Sequence, residues 1–189
     1  MLEVLQPPRN VSSGIICPKN ARYFVLHPYT LPCGLSHASG FILTWEDTML
    51  TIVRLDIKDA YLLIAGARAK AEEIGVPMCI AVTDESGNLI AFERMDGAKT
   101  TSIELAIDKS YAAAGVKKGT DVLGKVSHPG QPAYGLSSTL GGRMVVVPGG
   151  LPVISNGEVV GAIGISSGSP AQDLEVAEAS VLAFTEHQK

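Results

Sequence analysis

Gly149–Phe184, GGLPVISNGEVVGAIGISSGSPAQDLEVAEASVLAF, is the stretch that decides the fold. Gly149-Gly150 is turn material leading into an apolar run, Leu151–Ser155. Asn156-Gly157 follows, the pair that most readily supplies the two left-handed residues of a type I′ hairpin turn. The chain then returns as Glu158–Ser166. Ser169-Pro170-Ala171-Gln172 places a capping serine, a proline at the first helical position and a glutamine three residues on, which together start a helix. Leu174, Ala177, Val181 and Phe184 recur at three- and four-residue steps, so that helix has one apolar face. Gly161 and Gly164 fall inside the returning strand without the GxGxxG spacing that cradles a dinucleotide. A hairpin closed by a helix is the local prediction.

Upstream, the punctuation continues the pattern. Asp56 is placed to cap a helix over 57–74, with Asp59 in its first turn, Ala60, Ile64, Ala67, Ala71 and Ile74 along one face, and Gly75 and Pro77 to end it. Met78–Thr83 and Leu89–Met95 flank Asp84-Glu85-Ser86-Gly87-Asn88, a second hairpin signal. Thr101-x-x-Glu104 has the spacing of a capping box for a helix burying Ile103, Ala106, Ile107, Ser110, Tyr111 and Ala114 and ending at Gly115. A short helix capped by Thr120 is expected over Asp121–Val126, then a long loop, Ser127–Arg143, and a strand over Met144–Pro148. The predicted order is α-β-β-α-α-β-β-β-α. Hairpins dominate it, which argues for an α+β domain with a five-stranded, mainly antiparallel sheet covered by helices.

Composition bounds the rest. A chain of 189 residues with 46% hydrophobic and 18% charged residues is core-rich and sized for one domain with some excess. Net charge −4 without a basic run argues against nucleic acid as a partner. Residues 1–48 hold Pro7, Pro8, Pro18, Pro28 and Pro32 and show neither helical nor alternating period. They read as an irregular extension, or as sequence upstream of a start at Met49, with residues 49–189 forming the domain. Cys17, Cys33 and Cys79 match no metal or CxxC spacing, so a reducing compartment is the simple reading. No apolar run has the length of a membrane span and no secretory signal opens the chain, which makes the expected location cytoplasmic.

The run GGLPVISNGEVVGAIGISSGSPAQD, with IAVTDESGNLIAFERMDGA upstream and the helix carrying Ile103 to Ala114, resembles the GlcG/HbpS family over roughly residues 52–185. That family includes haem-binding members and the C-terminal domains of PduO proteins. The resemblance implies a profilin-like fold, a five-stranded antiparallel sheet between helical layers, and assembly as a homo-oligomer. It also implies a small-molecule ligand, with haem as the possible cofactor. Of two acidic positions associated with iron in the haem-binding members, Glu104 fills one and Ile107 stands at the other.

The candidate site residues surround the diagnostic stretch. His128 would be an axial haem ligand, a metal ligand or a general acid/base. Tyr134 would donate to a carboxylate or stack on a planar ligand, and Arg143 would clamp a carboxylate or haem propionate. Glu104 and Asp108, one helical turn apart, offer a foothold for a hard metal or a solvated face balanced by Lys109. Ser166 and Ser167, before the last helix, offer hydroxyls and free amides as an anion seat. Two functions are open: a protein that binds haem or a related tetrapyrrole in the 127–143 loop, or an enzyme of small carboxylate or carbonyl catabolism. In the second, His128 is the acid/base while Arg143 and the Gly149 and Gly150 amides orient an oxyanion. A regulatory or assembly subunit without a ligand is a third reading.

Overall fold

The computed structural model describes residues 50–188; the extension expected over 1–48, with Cys17 and Cys33, lies outside the described residues. Helix α1, Ile57–Glu73, begins at Asp56, whose carboxylate accepts from the Lys58 and Asp59 N–H groups at 2.7 and 2.9 Å. Asp59 returns the favour by accepting from the Asp56 N–H at 3.0 Å, so two otherwise orphaned donors are satisfied. Strands β1 (Cys79–Asp84) and β2 (Leu89–Arg94) follow, then α2 (Ser102–Val116), the short α3 (Thr120–Val126), β3 (Gly150–Ser155), β4 (Glu158–Ser166) and α4 (Pro170–His187). The four strands form an antiparallel sheet in the order β2-β1-β4-β3. Asn156 and Gly157 both adopt positive φ, 50° and 83°, at the β3–β4 turn, as the Asn-Gly pair predicts.

The two faces of the sheet differ in side-chain size, because successive residues of a strand point to opposite sides. Ile80 and Val82 of β1 and their partners Ile165 and Ile163 of β4 share a core with Leu63, Ile64 and Ala67 of α1 and Val176, Ala177 and Phe184 of α4. Fully burying each large aliphatic side chain here contributes about 1.5–3 kcal/mol, so this layer supplies most of the hydrophobic stabilisation. On the other face stand Cys79, Ala81, Ala162 and Gly164, met by Ala106, Ala113 and Ala114 of α2. Where α2 crosses β4 the backbones approach too closely for side-chain bulk. A Cβ on Gly164 would lie 2.0 Å from the Ala106 carbonyl oxygen, and one on Gly150 would lie 2.4 Å from that of Lys109. Ser110 seals the contact by donating to the Ala162 carbonyl at 3.0 Å and sharing a 2.7 Å hydrogen bond with Thr83.

Four expectations need correction. Met144–Pro148 is not a fifth strand: Met144 packs with Ala112 and Leu123, and the Val146 carbonyl lies where a Cβ on Gly124 would come within 2.6 Å. The segment is thus held against α2 and α3, and Pro152 on β3 lacks a donor for any further strand on that edge. Thr101 makes no cap bond: it is itself helical (φ −67°, ψ −16°), and the Ser102 and Ile103 N–H groups donate to the Lys99 and Thr100 carbonyls. Gly115 does not end α2, which runs one residue further and is stopped by Lys117 in the left-handed region (φ 57°). Thr120 opens α3 without capping it; its hydroxyl oxygen instead accepts from the Gly150 N–H at 2.9 Å.

Candidate functional site

Midway along α2, Asp108 and Tyr111 meet Arg143 at the end of the long loop. The Arg143 Nε donates to Asp108 Oδ1 at 2.8 Å, and its guanidinium carbon lies 3.8 Å from the centroid of the Tyr111 ring. Tyr111 is seated against the β1–β2 turn, where a Cβ on Gly87 would approach its ring to 2.7 Å. Arg143 is 43% exposed, so the ion pair is worth at most about 1 kcal/mol and the cation–π contact about as much. Their consequence is orientation: a flat cation fixed at one edge and one face, with its remaining N–H donors open to solvent.

The loop that delivers Arg143 is folded on itself. Ala133 N–H donates back to the Val126 carbonyl, and two 3-10 turns, Leu136–Ser138 and Leu140–Gly142, follow. Leu136 is partly buried with Met144, whereas Tyr134 and Leu140 are 69% and 61% exposed. His128 is exposed at the start of the loop, its carbonyl accepting from the Gln131 N–H. Glu104 is exposed one turn before Asp108. Among the described residues no three His, Cys, Asp or Glu side chains gather as a metal site, and Asp108 already accepts from Arg143.

The structure joins Arg143 to Asp108, but the remaining candidates lie elsewhere. Gly149 and Gly150 are buried at the start of β3, and the Gly150 N–H is taken by Thr120. Ser166 and Ser167 are buried at the end of β4; Ser167 Oγ accepts from the Lys99 N–H at 3.1 Å. The amides expected as an anion seat are occupied: Gly168 donates to Asp173 Oδ1 and Ser169 to Gln172 Oε1, both at 2.9 Å.

Lys109 and Asp173 are the pair that sequence reasoning missed. Lys109 is fully buried, on the sheet side of α2, and does not balance Glu104 and Asp108 at the surface. Its Nζ donates to Asp173 Oδ2 at 2.7 Å and to the Ile165 carbonyl at 2.8 Å. Burial pushes the Lys109 ammonium below its ordinary value, and the hydrogen bond and charge of Asp173 work against that shift. The signal was present: Ser102, Ala106, Lys109 and Ala113 step by four, three and four residues, so the buried stripe of α2 passes through the lysine. Asp173 thus places a carboxylate at the positive end of α4, where the helix dipole favours it.

An α+β domain with an antiparallel sheet and a long loop that presents an arginine over a tyrosine defines a class of small-molecule-binding scaffold. Sequence comparison makes the class particular: residues 55–182 match the Haem degrading protein HbpS-like family, and the chain belongs to it. It is 38% identical over 135 residues to an uncharacterized 15.0 kDa protein from the dhaT-dhaS intergenic region of Citrobacter freundii, covering 71% of this chain and 95% of that one. It is 35% identical over 134 residues to the corrinoid adenosyltransferase PduO of Salmonella typhimurium, covering 71% of this chain and only 40% of that enzyme. Among solved structures, a PduOC:heme complex superposes with a TM-score of 0.67 at 34% identity, over 69% of this chain and 95% of that one.

Proposed function

We propose that this protein binds haem or a related tetrapyrrole on the face formed by α2 and the 127–143 loop. The observation that carries the reading is the half-exposed Arg143 guanidinium, held over the Tyr111 ring and paired with Asp108 at the end of a loop that also exposes Tyr134 and Leu140. Such a surface would suit a planar ligand with an apolar body and acidic edge: Arg143 would take a propionate, Tyr134 and Leu140 would cover the ring, and His128 would offer its imidazole to the iron. Haem so held contributes a redox-active iron. The likeness to a haem-complexed relative supports the same ligand class. The enzyme reading draws less support, because one of its two proposed backbone oxyanion donors, the Gly150 N–H, already serves Thr120.

Titration with haem, followed by the Soret band, tests the proposal. Saturable binding is expected, weakened by about tenfold in Arg143→Ala, the loss of one charge-assisted contact. A changed band position in His128→Ala is expected, from loss of the imidazole that would hold the iron. Binding that is non-saturable, or identical in both variants, overturns the site. The protein is further proposed to work as a cytoplasmic homo-oligomer, checked by sedimentation velocity. Among the described residues no helix is long and apolar enough to cross a membrane.

A further inference from the structure

A second surface lies before the start of α2 and owes nothing to Arg143. An open cleft of about 500 Å³ separates the segment leading into α2 from the start of α4. Val76 and Pro77 give it an apolar wall; Lys99, Ser167, Ser169 and Gln172 give it a polar one. We propose that this cleft binds the carboxylate of a small organic acid.

The chemistry of the polar wall points to that ligand. The backbone amides at the start of α4 are already used: Gly168 N–H by Asp173, Ser169 N–H by Gln172, Gln172 N–H by Ser169 Oγ and Asp173 N–H by the Ser169 carbonyl. The helix end has its own anion in Asp173, and Lys109 takes up that charge from below. What remains is a set of side-chain donors. Ser167 is only 7% exposed, and its Oγ accepts from the Lys99 N–H while its own hydroxyl proton has no acceptor among the described residues. The Ser169 hydroxyl proton and the Gln172 side-chain amide likewise donate to no described residue, and the exposed Lys99 ammonium has no carboxylate partner there.

Donors of this kind around one cleft call for a group that only accepts and carries negative charge, as a carboxylate does. Val76 and Pro77 then receive the apolar body, a role a fully hydrated phosphate cannot fill. Part of its wall is held in place: Asp173 accepts from the Gly168 N–H, Ser167 Oγ from the Lys99 N–H and Gln172 Oε1 from the Ser169 N–H.

The test is an amide chemical-shift titration of the full chain with sodium propionate, its neutral isostere propionamide, and inorganic phosphate, all without haem. Saturable shifts at Gly97, Lys99 and Gly168 with propionate alone are expected. They should weaken about tenfold in Lys99→Gln, an exposed position whose change leaves the fold intact, and also in Ser167→Ala. No saturable shift, an equal response to propionamide, or unaltered affinity in Lys99→Gln overturns the site. Tighter binding of phosphate than of propionate overturns the carboxylate assignment. Because the titration omits haem, its result stands apart from that of the Arg143 face.

Discussion

Protein groups replace the solvent around Lys109: its Nζ meets the Asp173 carboxylate and the Ile165 carbonyl, and Gly149 fits so tightly that a Cβ there would lie 2.9 Å from Nζ. A buried pair of this sort is costly to break and cheaper to replace. Asp173→Ala strands the ammonium and frees the Gly168 N–H, and is expected to cost about 3–5 kcal/mol by urea denaturation. Lys109→Met combined with Asp173→Asn removes both charges while keeping an acceptor for Gly168, and is expected to recover most of that loss. An unrecovered double variant would show that the charge itself is needed. These two residues also mark where residue-level reading stops. Asp173 suits the positive end of α4, but a partner 64 residues away cannot be seen from local spacing. Arg143 was singled out for its chemistry; that Asp108 and Tyr111 would fix it follows only from the tertiary contact of loop and helix.

At the scale of elements, α2 and β4 are joined by absence of side-chain bulk. Gly164→Ala would drive a methyl into the Ala106 carbonyl, and is expected to cost about 3 kcal/mol, the top of the usual range for overpacking, in thermal or urea unfolding. The β1–β2 turn depends on charge instead. Burial of Asp84 opposes its ionisation, but hydrogen bonds from Asn88 and Ser86, with Arg54 nearby, outweigh it and hold the carboxyl below its usual range. As pH falls, the unfolded chain is protonated first. The native advantage is therefore complete above the usual carboxylate range and lost as pH drops through the lowered value. Asp84→Asn should thus be destabilising at pH 7 and nearly neutral in strong acid; an equal difference at both pH values would refute this. Turns and caps with local donors and acceptors, at Asp56, Asn156-Gly157 and Ser169–Gln172, were legible in the sequence because both partners lie within a few residues. Thr101 had the same spacing and failed, since the preceding turn had already satisfied the first helical amides. Met144–Pro148 looked like a strand because its side chains are apolar, but that pattern does not say whether the segment pairs with a strand or packs on a helix.

At the scale of the whole molecule, the described residues divide their labour between the two faces of the sheet. The α1–α4 face supplies hydrophobic stabilisation, one proposed ligand surface lies midway along α2, and the other lies between the segment leading into α2 and the start of α4. The α+β class and the antiparallel hairpins could be read in advance from alternation and turn residues. The two surfaces could not, since each joins segments far apart in the chain. The close seating of α2 on β1 and β4 has a consequence for exchange with solvent. With Gly164, Ala81 and Ala162 leaving no gap, and with Lys109 and Ser110 anchored to the carbonyls of Ile165 and Ala162, the helix cannot lift in part. Peptide protons of Ala81, Val82, Ala162 and Ile163 should then trade with deuterium only when the domain opens entirely, at one shared free energy equal to that of global unfolding. Faster, scattered exchange at these positions would reveal a helix that breathes; a common slow rate would make α2 a fixed strut against which ligands are gained and lost.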